Sequence, residues 1–358
     1  MSYLHIPRPC GDFRQTYAAD STIFPSRGSS YACWGGVLLL LLLPLMDNLY
    51  LLNLALQIGY YGIAAIGLNI LLGLSGQISI AHAAFFGFGA FASAWLANHT
   101  AIPVFFCIPL AGLFTTAVGM IFGLPAARIK GFYLAIATLA GQFILEDFFI
   151  RAEWFTGGAY GAAAEPVSVF GLVLDTDERY YYLVLFWFLL LSLAAVNLRR
   201  TRDGRALVAV HDHYLSAEMM GIQLTRYRLL AFALSSFYAG VGGALYGHYL
   251  GFVSVEGFTI FLSVQFLSMV IIGGMGSVMG AILGTAFIVL LPEAMGAVFS
   301  TVAKLPFAAD ADFLDALPYF KEMAIGLAIV LFLIYEPNGL KYRWLLTKAY
   351  WKYYPFSH

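Results

Sequence analysis

Side chains that could carry acid–base or metal chemistry are almost absent from the apolar segments of this 358-residue sequence. Of the seven histidines only His82 and His248 lie in or at such a segment, and carboxylates occur only near segment ends, at Glu146, Asp147 and Glu293. One imidazole makes neither a metal site nor a proton relay, and the three cysteines are scattered. The sequence therefore predicts neither an enzyme nor a metal or organic cofactor.

Glycine is the residue whose spacing is informative, with 36 copies. The stretch ILLGLSGQI begins at Ile70, and the similar VIIGGMGSV begins at Val270. Glycine-interrupted apolar segments in corresponding positions of two halves indicate a solute path, because a broken helix exposes backbone groups that can line a cavity. A chance match in a glycine-rich chain is the alternative, and the sequence leaves both open. The candidate residues of the translocation path or helix break are Gly73, Ser75, Gly76, Gln77, Ser79, His82, Gly273, Gly274, Gly276 and Ser277.

Two further features of these segments concern helix packing. For Gln77 and His82 we favour a hydrogen bond between helices over direct contact with a solute, because neighbouring helices satisfy polar groups inside a membrane. Glycines at steps of four predict faces where another helix approaches closely. These glycines are Gly243 with Gly247, and Gly276 with Gly280 and Gly284.

The elements that must position these residues are membrane-spanning helices. Hydrophobic residues make up 61% of the chain and charged residues 11%, and the apolar runs are too long and unbroken for the alternating strands of a membrane barrel. We predict an all-α, polytopic bundle of about ten transmembrane helices, with two related halves and broken helices if the glycine match is a repeat. The predicted spans are 33–46, 50–73, 78–97, 102–124, 132–150, 180–198, 226–250, 258–276, 279–296 and 321–336.

The distribution of Lys and Arg predicts the orientation. Segment 199–228 has six basic and three acidic residues, and 127–131 and the C-terminal segment are also basic. Segments 151–179 and 297–320 are acidic. Because basic loops stay in the cytoplasm, we predict a polar cytoplasmic tail at 1–30, a transmembrane domain at 31–340 and a basic cytoplasmic tail at 341–358. The net charge of −1 argues against a nucleic-acid partner.

A helical period within the cytoplasmic segment predicts one amphipathic helix from Gly204 to Met220, ended by Gly221. Its apolar stripe contains Ala206, Leu207, Val210, Tyr214, Ala217 and Met220. Such a helix could protrude and bind a cytoplasmic partner. Alternatively, it lies flat on lipid headgroups, which the arginines at its ends would also favour.

Four stretches of the chain together resemble a known family. They are GLNILLGLSGQISIAHAAFFGFGAFASA at 67–94, TGGAYG at 156–161, the segment 204–254 that begins GRALVAVHDHYLSAEMMGI, and MVIIGGMGSVMGAILGTAFIVLLPE at 269–293. In this order they resemble the permease subunit of bacterial branched-chain amino-acid ABC importers of the LivM type, from about residue 50 to 340.

The resemblance implies an inner-membrane permease that works with a second related permease, two cytoplasmic ATPase subunits and an extracytoplasmic solute-binding protein, and that carries leucine, isoleucine or valine. The stretch SAEMMGI resembles the family's ATPase-docking loop, which implies docking roles for Ala217, Glu218, Met219 and Gly221. The chain has no G-x-x-x-x-G-K-[ST] loop of its own, so energy would come from a partner. The family often has an acidic residue where this chain has Gln142.

Two alternatives remain open on the sequence. The same family also imports urea, short amides and aromatic acids, so another small solute is the first. A stand-alone secondary transporter is the second, although such a protein needs intramembrane charges for ion coupling and the spans are almost free of them.

Overall fold

A computed structural model describes residues 16, 27–46, 48–100, 102–129, 131–169, 172–302 and 317–353. These residues form an all-α bundle of fourteen α-helices with four strands of two residues each. The helices are α1 Arg27–Leu42, α2 Leu49–Asn69, α3 His82–His99, α4 Val104–Ala126, α5 Phe132–Arg151, α6 Glu153–Thr156, α7 Asp177–Leu198, α8 Arg202–Asp212, α9 Tyr214–Met219, α10 Leu224–Leu250, α11 Ile260–Gly273, α12 Val278–Val302, α13 Leu317–Tyr335 and α14 Gly339–Tyr353. The strands are β1 Ala162–Ala163, β2 Ser168–Val169, β3 Leu172–Val173 and β4 Phe252–Val253.

Each of the ten predicted spans overlaps a helix in the described residues. Six of these helices are long and apolar enough to cross a membrane by themselves, and a seventh arises if the bent pair α13–α14 is counted as one span. The others are shorter or less apolar, including Ser30–Met46 and Ile260–Gly273. Residues 78–81 of the third predicted span are not helical, because α3 begins only at His82.

Helix α10 lies at the centre of the bundle and packs against α2, α3 and α4. Small residues allow this close approach: a Cβ atom on Gly243 would lie 1.8 Å from the carbonyl oxygen of Phe86, and one on Gly89 would lie 2.3 Å from that of Gly240. The predicted close packing at Gly243 is therefore present. The predicted stripe on α12 is shorter than expected, because Gly276 precedes the helix and only Gly280 and Gly284 lie on it.

Contacts between loops define two ends of the bundle. At one end β1 pairs with β4, and the side-chain amide of Asn98 donates to the carbonyl oxygen of Ala163 at 2.8 Å. At the other end the Arg228 guanidinium donates to the carbonyl oxygen of Ala127 at 3.1 Å, and that of Arg199 donates to Gly276 at 3.2 Å. The basic segments thus meet at one end and the acidic loop 151–179 lies at the other; which end faces the cytoplasm stays a prediction.

Two predicted boundaries differ from the structure. The predicted cytoplasmic helix is interrupted at His213, whose φ of −148° and ψ of 83° are not helical, and becomes α8 and α9. This turn lets the start of the stripe and Ala217 be buried, while Met220 is 84% exposed and outside the apolar stripe. Helix α14 is bent by 50° from α13 and begins at Gly339, two residues before the predicted C-terminal tail, most of which it covers. The predicted N-terminal tail lies mostly outside the described residues, and α1 begins within it at Arg27.

Candidate functional site

The two glycine segments lie against each other, and the side chain of Asn69 joins them. Its Nδ2 atom donates to the carbonyl oxygen of Ser277 at 2.7 Å, and its Oδ1 atom accepts from the backbone N–H of Gly276 at 2.8 Å. Asn69 is only 3% exposed. A Cβ atom on Gly73 would lie 2.1 Å from the nitrogen of Gly276, so the two backbones approach more closely than any larger residue at 73 permits.

Each segment joins the end of one helix to the start of the next and contains a glycine with left-handed backbone. After α2 the chain makes a π-helical turn, Ile70–Leu74, and then runs without helix from 76 to 81. Gly76 has φ of 71° and Gly276 has φ of 75°, a region that favours glycine. These two positions correspond in the proposed repeat and share a conformation. Gly73 lies in the π turn whereas Gly273 ends α11, so the repeat stays a hypothesis.

The polar side chains of the first break are buried; those of Ser75 and Gln77 bond to protein, whereas Ser79 Oγ has no hydrogen-bond partner among the described residues. Ser75 donates from Oγ to the carbonyl oxygen of Leu71 at 2.6 Å, and Gln77 donates from Nε2 to Ser75 Oγ at 2.8 Å and to the carbonyl oxygen of Arg228 at 3.2 Å. Ser79 is 1% exposed. In this conformation the side chains hold the break to α10, and the neighbouring Ile78, 38% exposed, faces outward.

His82 is fully buried at the start of α3, with Nε2 2.8 Å from the carbonyl oxygen of Ala64 in α2, to which it donates. The first free N–H groups of α3 bond to other helices: that of Ala83 donates to Ser263 Oγ at 2.9 Å, and that of Ala84 donates to Gln142 Oε1 at 3.1 Å. Side chains of α11 and α5 therefore complete the N-terminus of a helix that begins inside the bundle.

A row of polar side chains on α5 continues from this point. Thr138, Gln142 and Glu146 lie at steps of four on one helix face. Thr138 Oγ1 accepts from the backbone N–H of Ile80 at 3.0 Å, and Gln142 Nε2 donates to Glu146 Oε1 at 2.8 Å. Sequence reasoning did not select Thr138, Ser263 or Asn69. The step of four on α5, and an Asn one helical turn before Gly73, were the available signals.

The predicted docking residues lie on and just after α9. Ala217 is buried, whereas Glu218 and Met219 are exposed, Met219 by 88%. Gly221 ends the segment with φ of 85°. Leu215, also exposed, adds a second apolar side chain to this surface. The outward-facing residues thus differ from the predicted stripe, because the buried Ala217 packs the opposite side of α9 against the rest of the protein.

The segment that carries α9 contacts both breaks. A Cβ atom on Gly76 would lie 2.5 Å from Cδ2 of His211, so the ring at the end of α8 lies directly on the first break. Arg199, which precedes α8, donates to the carbonyl oxygen of Gly276 in the second break. A residue just before α8 and a residue near its end therefore contact the two breaks directly.

A polytopic helical bundle with two interrupted helices in contact belongs to the class of membrane transport proteins. The match to a family model agrees: residues 50–334 match the family described as branched-chain amino acid transport system / permease component, and the chain belongs to it. It is a multi-pass permease of the bacterial inner membrane.

Curated relatives support the same assignment. The chain is 30% identical over 321 residues to the high-affinity branched-chain amino acid transport system permease protein LivM of Salmonella typhimurium and to that of Escherichia coli, covering 83% of this chain and 71% of each relative. It is 21% identical over 273 residues to LivH of Salmonella typhimurium, covering 68% of this chain and 84% of the relative. No solved structure matches the chain.

Proposed function

We propose that this chain is one of two permease subunits of an ATP-driven importer for leucine, isoleucine and valine. The match of residues 50–334 to the permease family is the observation that carries the proposal. The names of the LivM and LivH relatives supply the solute class and the existence of a second permease. The two ATPase subunits and the extracytoplasmic binding protein are part of this proposal.

Coupling to an ATPase would use the surface formed by Leu215, Glu218, Met219 and Met220. Three exposed apolar side chains beside a charge, held by the buried Ala217, are suited to a groove on a partner. When the ATPase subunits move, α9 and α8 would move with them. His211 would then press on Gly76, and Arg199 would pull on Gly276, so both interrupted helices respond to one event.

The solute would move along the polar face of α5, next to the second permease. Thr138 and Gln142 are buried and Glu146 is half-buried, so their donors and acceptors would reach the solute only after the neighbouring helices move. The residues of the first break then act by holding this face to α10, through Gln77, and α2 to α3, through His82.

Reconstitution tests the solute and the energy source together. The complete transporter in proteoliposomes should accumulate labelled leucine only with ATP and the binding protein, with unlabelled isoleucine and valine as competitors. If urea, a short amide or an aromatic acid accumulated and leucine did not, the proposed solute would be wrong although the importer mechanism would stand. Uptake by this chain alone, driven by a proton gradient, would establish a secondary transporter and contradict the proposal.

Docking is tested by capture of the ATPase subunits. Glu218→Lys and Gly221→Trp should abolish capture, the first by reversing a surface charge and the second by adding a bulky side chain where φ is positive. Glu256→Lys, the same charge reversal at the opposite end of the bundle, is the matched control and should retain capture. If both test variants captured the ATPase subunits as well as the unaltered protein does, α9 would not be the docking element.

A further inference from the structure

A groove of about 340 Å³ opens between the two helix breaks, α8 and α14. Its walls include Arg199, His211, Asp212, Gly274, Lys341 and Tyr342. The groove lies at the end of the bundle where the basic segments meet. The transport proposal uses Arg199 and His211 only for their contacts with the two breaks and assigns no ligand to the groove itself.

In the part of the chain that the structure describes, no carboxylate forms an ion pair with the two cations of this groove. Burial and the nearby Arg199 guanidinium lower the pKa of the Lys341 ammonium to about 8. Among the described residues the Arg199 side chain bonds only to the Gly276 carbonyl, and neither cation forms an ion pair. The carboxylate of Glu336, near the start of α14, is already paired with Arg343. Asp212 lies on the wall without bonding to either cation.

An apolar cavity of about 190 Å³ adjoins the groove and shares Leu74, Arg199 and Gly276 with it. Its remaining walls are mainly hydrocarbon, from Ile66, Ile70, Ala195, Val196, Val278 and Met279. A cationic groove beside a hydrocarbon-lined cavity matches a ligand with an anionic head and an apolar tail. Free phosphate would use only the first of the two.

We propose that this groove binds an anionic phospholipid, with its phosphate between Arg199 and Lys341 and the start of one acyl chain in the adjoining cavity. Basic pockets at a membrane surface attract anionic headgroups, and Arg and Lys are the side chains that bind phosphate oxygens. The headgroup would connect α14 with the second helix break, which lies next to Arg199. This site goes beyond the transport proposal and does not depend on which solute is carried.

Lipid binding to the purified transporter in detergent tests the site. Titration with phosphatidylglycerol, followed by native mass spectrometry, gives an apparent affinity for comparison with phosphatidylcholine and inorganic phosphate. Lys341→Gln should weaken phosphatidylglycerol binding about fivefold, the worth of one cation near a membrane surface. Lys341→Arg should retain it. Lys348→Gln removes the same charge from an exposed position on the same helix and should leave it unchanged.

Three results would overturn the proposal. Equal losses in Lys341→Gln and Lys348→Gln would show that only the general charge of α14 matters. Equal binding of phosphatidylcholine would show that the cations do not select the ligand, and this comparison needs no variant, so it stands even if Lys341→Gln misfolds. Displacement of the lipid by millimolar inorganic phosphate would assign the groove to a soluble anion.

Discussion

At the residue scale, the contact between the two breaks depends on one amide, that of Asn69. It both donates and accepts, at Ser277 and Gly276, and Asn69 is only 3% exposed. We expect Asn69→Ala to lower the free energy of unfolding by about 1–3 kcal/mol, because a buried carbonyl and a buried N–H lose their partner. Thermal melting of the purified protein in detergent would measure this.

Asn197→Ala is the matched control, since Asn197 is exposed at the end of α7. It should change the melting temperature little. If Asn69→Ala melts like the control, the amide does not hold the breaks together. Asn69→Asp is a stricter test, because it keeps the shape but replaces the donor that faces the Ser277 carbonyl with an acceptor.

A second residue-scale prediction concerns Lys341 and pH. Its pKa of about 8 lies below the value near 10.4 of an unfolded lysine, so between these pH values the unfolded chain binds more protons and stability rises with pH. Below pH 8 the full cost of burying the ammonium is present. Without added lipid, Lys341→Met should therefore raise the melting temperature at pH 7, and this gain should shrink towards pH 10.

The measurement is a melting series from pH 7 to pH 10 on the protein and two variants. Lys348→Met, at an exposed position of the same helix, should show no such trend. A gain from Lys341→Met that is constant with pH would mean that packing of the methionine, and not removal of a buried charge, causes the stabilisation.

At the element scale, the first break presents its polar side chains inward. Ser75 and Ser79 are buried, whereas the adjacent Ile78 is 38% exposed. In a variant lacking the native cysteines, Ser75→Cys and Ser79→Cys should react slowly with a small water-soluble thiol reagent, and Ile78→Cys should react quickly. Labelling rates in native membranes would compare them.

The same experiment with the ATPase subunits and ATP tests movement of the break. If turnover leaves Ser75→Cys and Ser79→Cys silent, the break serves packing throughout the cycle. If it exposes them, the break lines the path in another conformer. Rapid labelling of Ser79→Cys at rest would contradict the conformation described above.

The sequence was sufficient to locate the ten apolar helices and the two breaks, since both depend on local composition. Ten apolar runs and the glycines at 73–76 and 273–276 can be recognised in the amino-acid sequence alone. That the two breaks touch is a tertiary fact, which depends on how α2 and α12 pack. The interruption at His213 was missed for a similar reason, because the helical period continues through it and only burial of Ala217 favours the turn.

At the scale of the whole molecule, the contacts that join loops at each end support the predicted topology and leave its direction to be measured. Ser216→Cys on α9 should react with a membrane-impermeant reagent only after cells are permeabilised, if the basic end is cytoplasmic. Glu256→Cys should react in intact cells once the outer membrane is opened. The opposite labelling pattern would show that the basic end is extracytoplasmic, and it would contradict the proposal that α9 binds a cytoplasmic ATPase.

The near-contact of Gly73 with Gly276 also restricts how the gene can change. A Cβ atom at position 73 would meet the nitrogen of Gly276, and the left-handed backbone at 276 already disfavours any side chain there. A larger residue at either position would clash or strain the backbone, and a later substitution at the other position could not relieve this. We expect lineages of this permease to vary in the helices around the pair while the pair itself is inherited unaltered, which makes it a landmark for aligning distant copies.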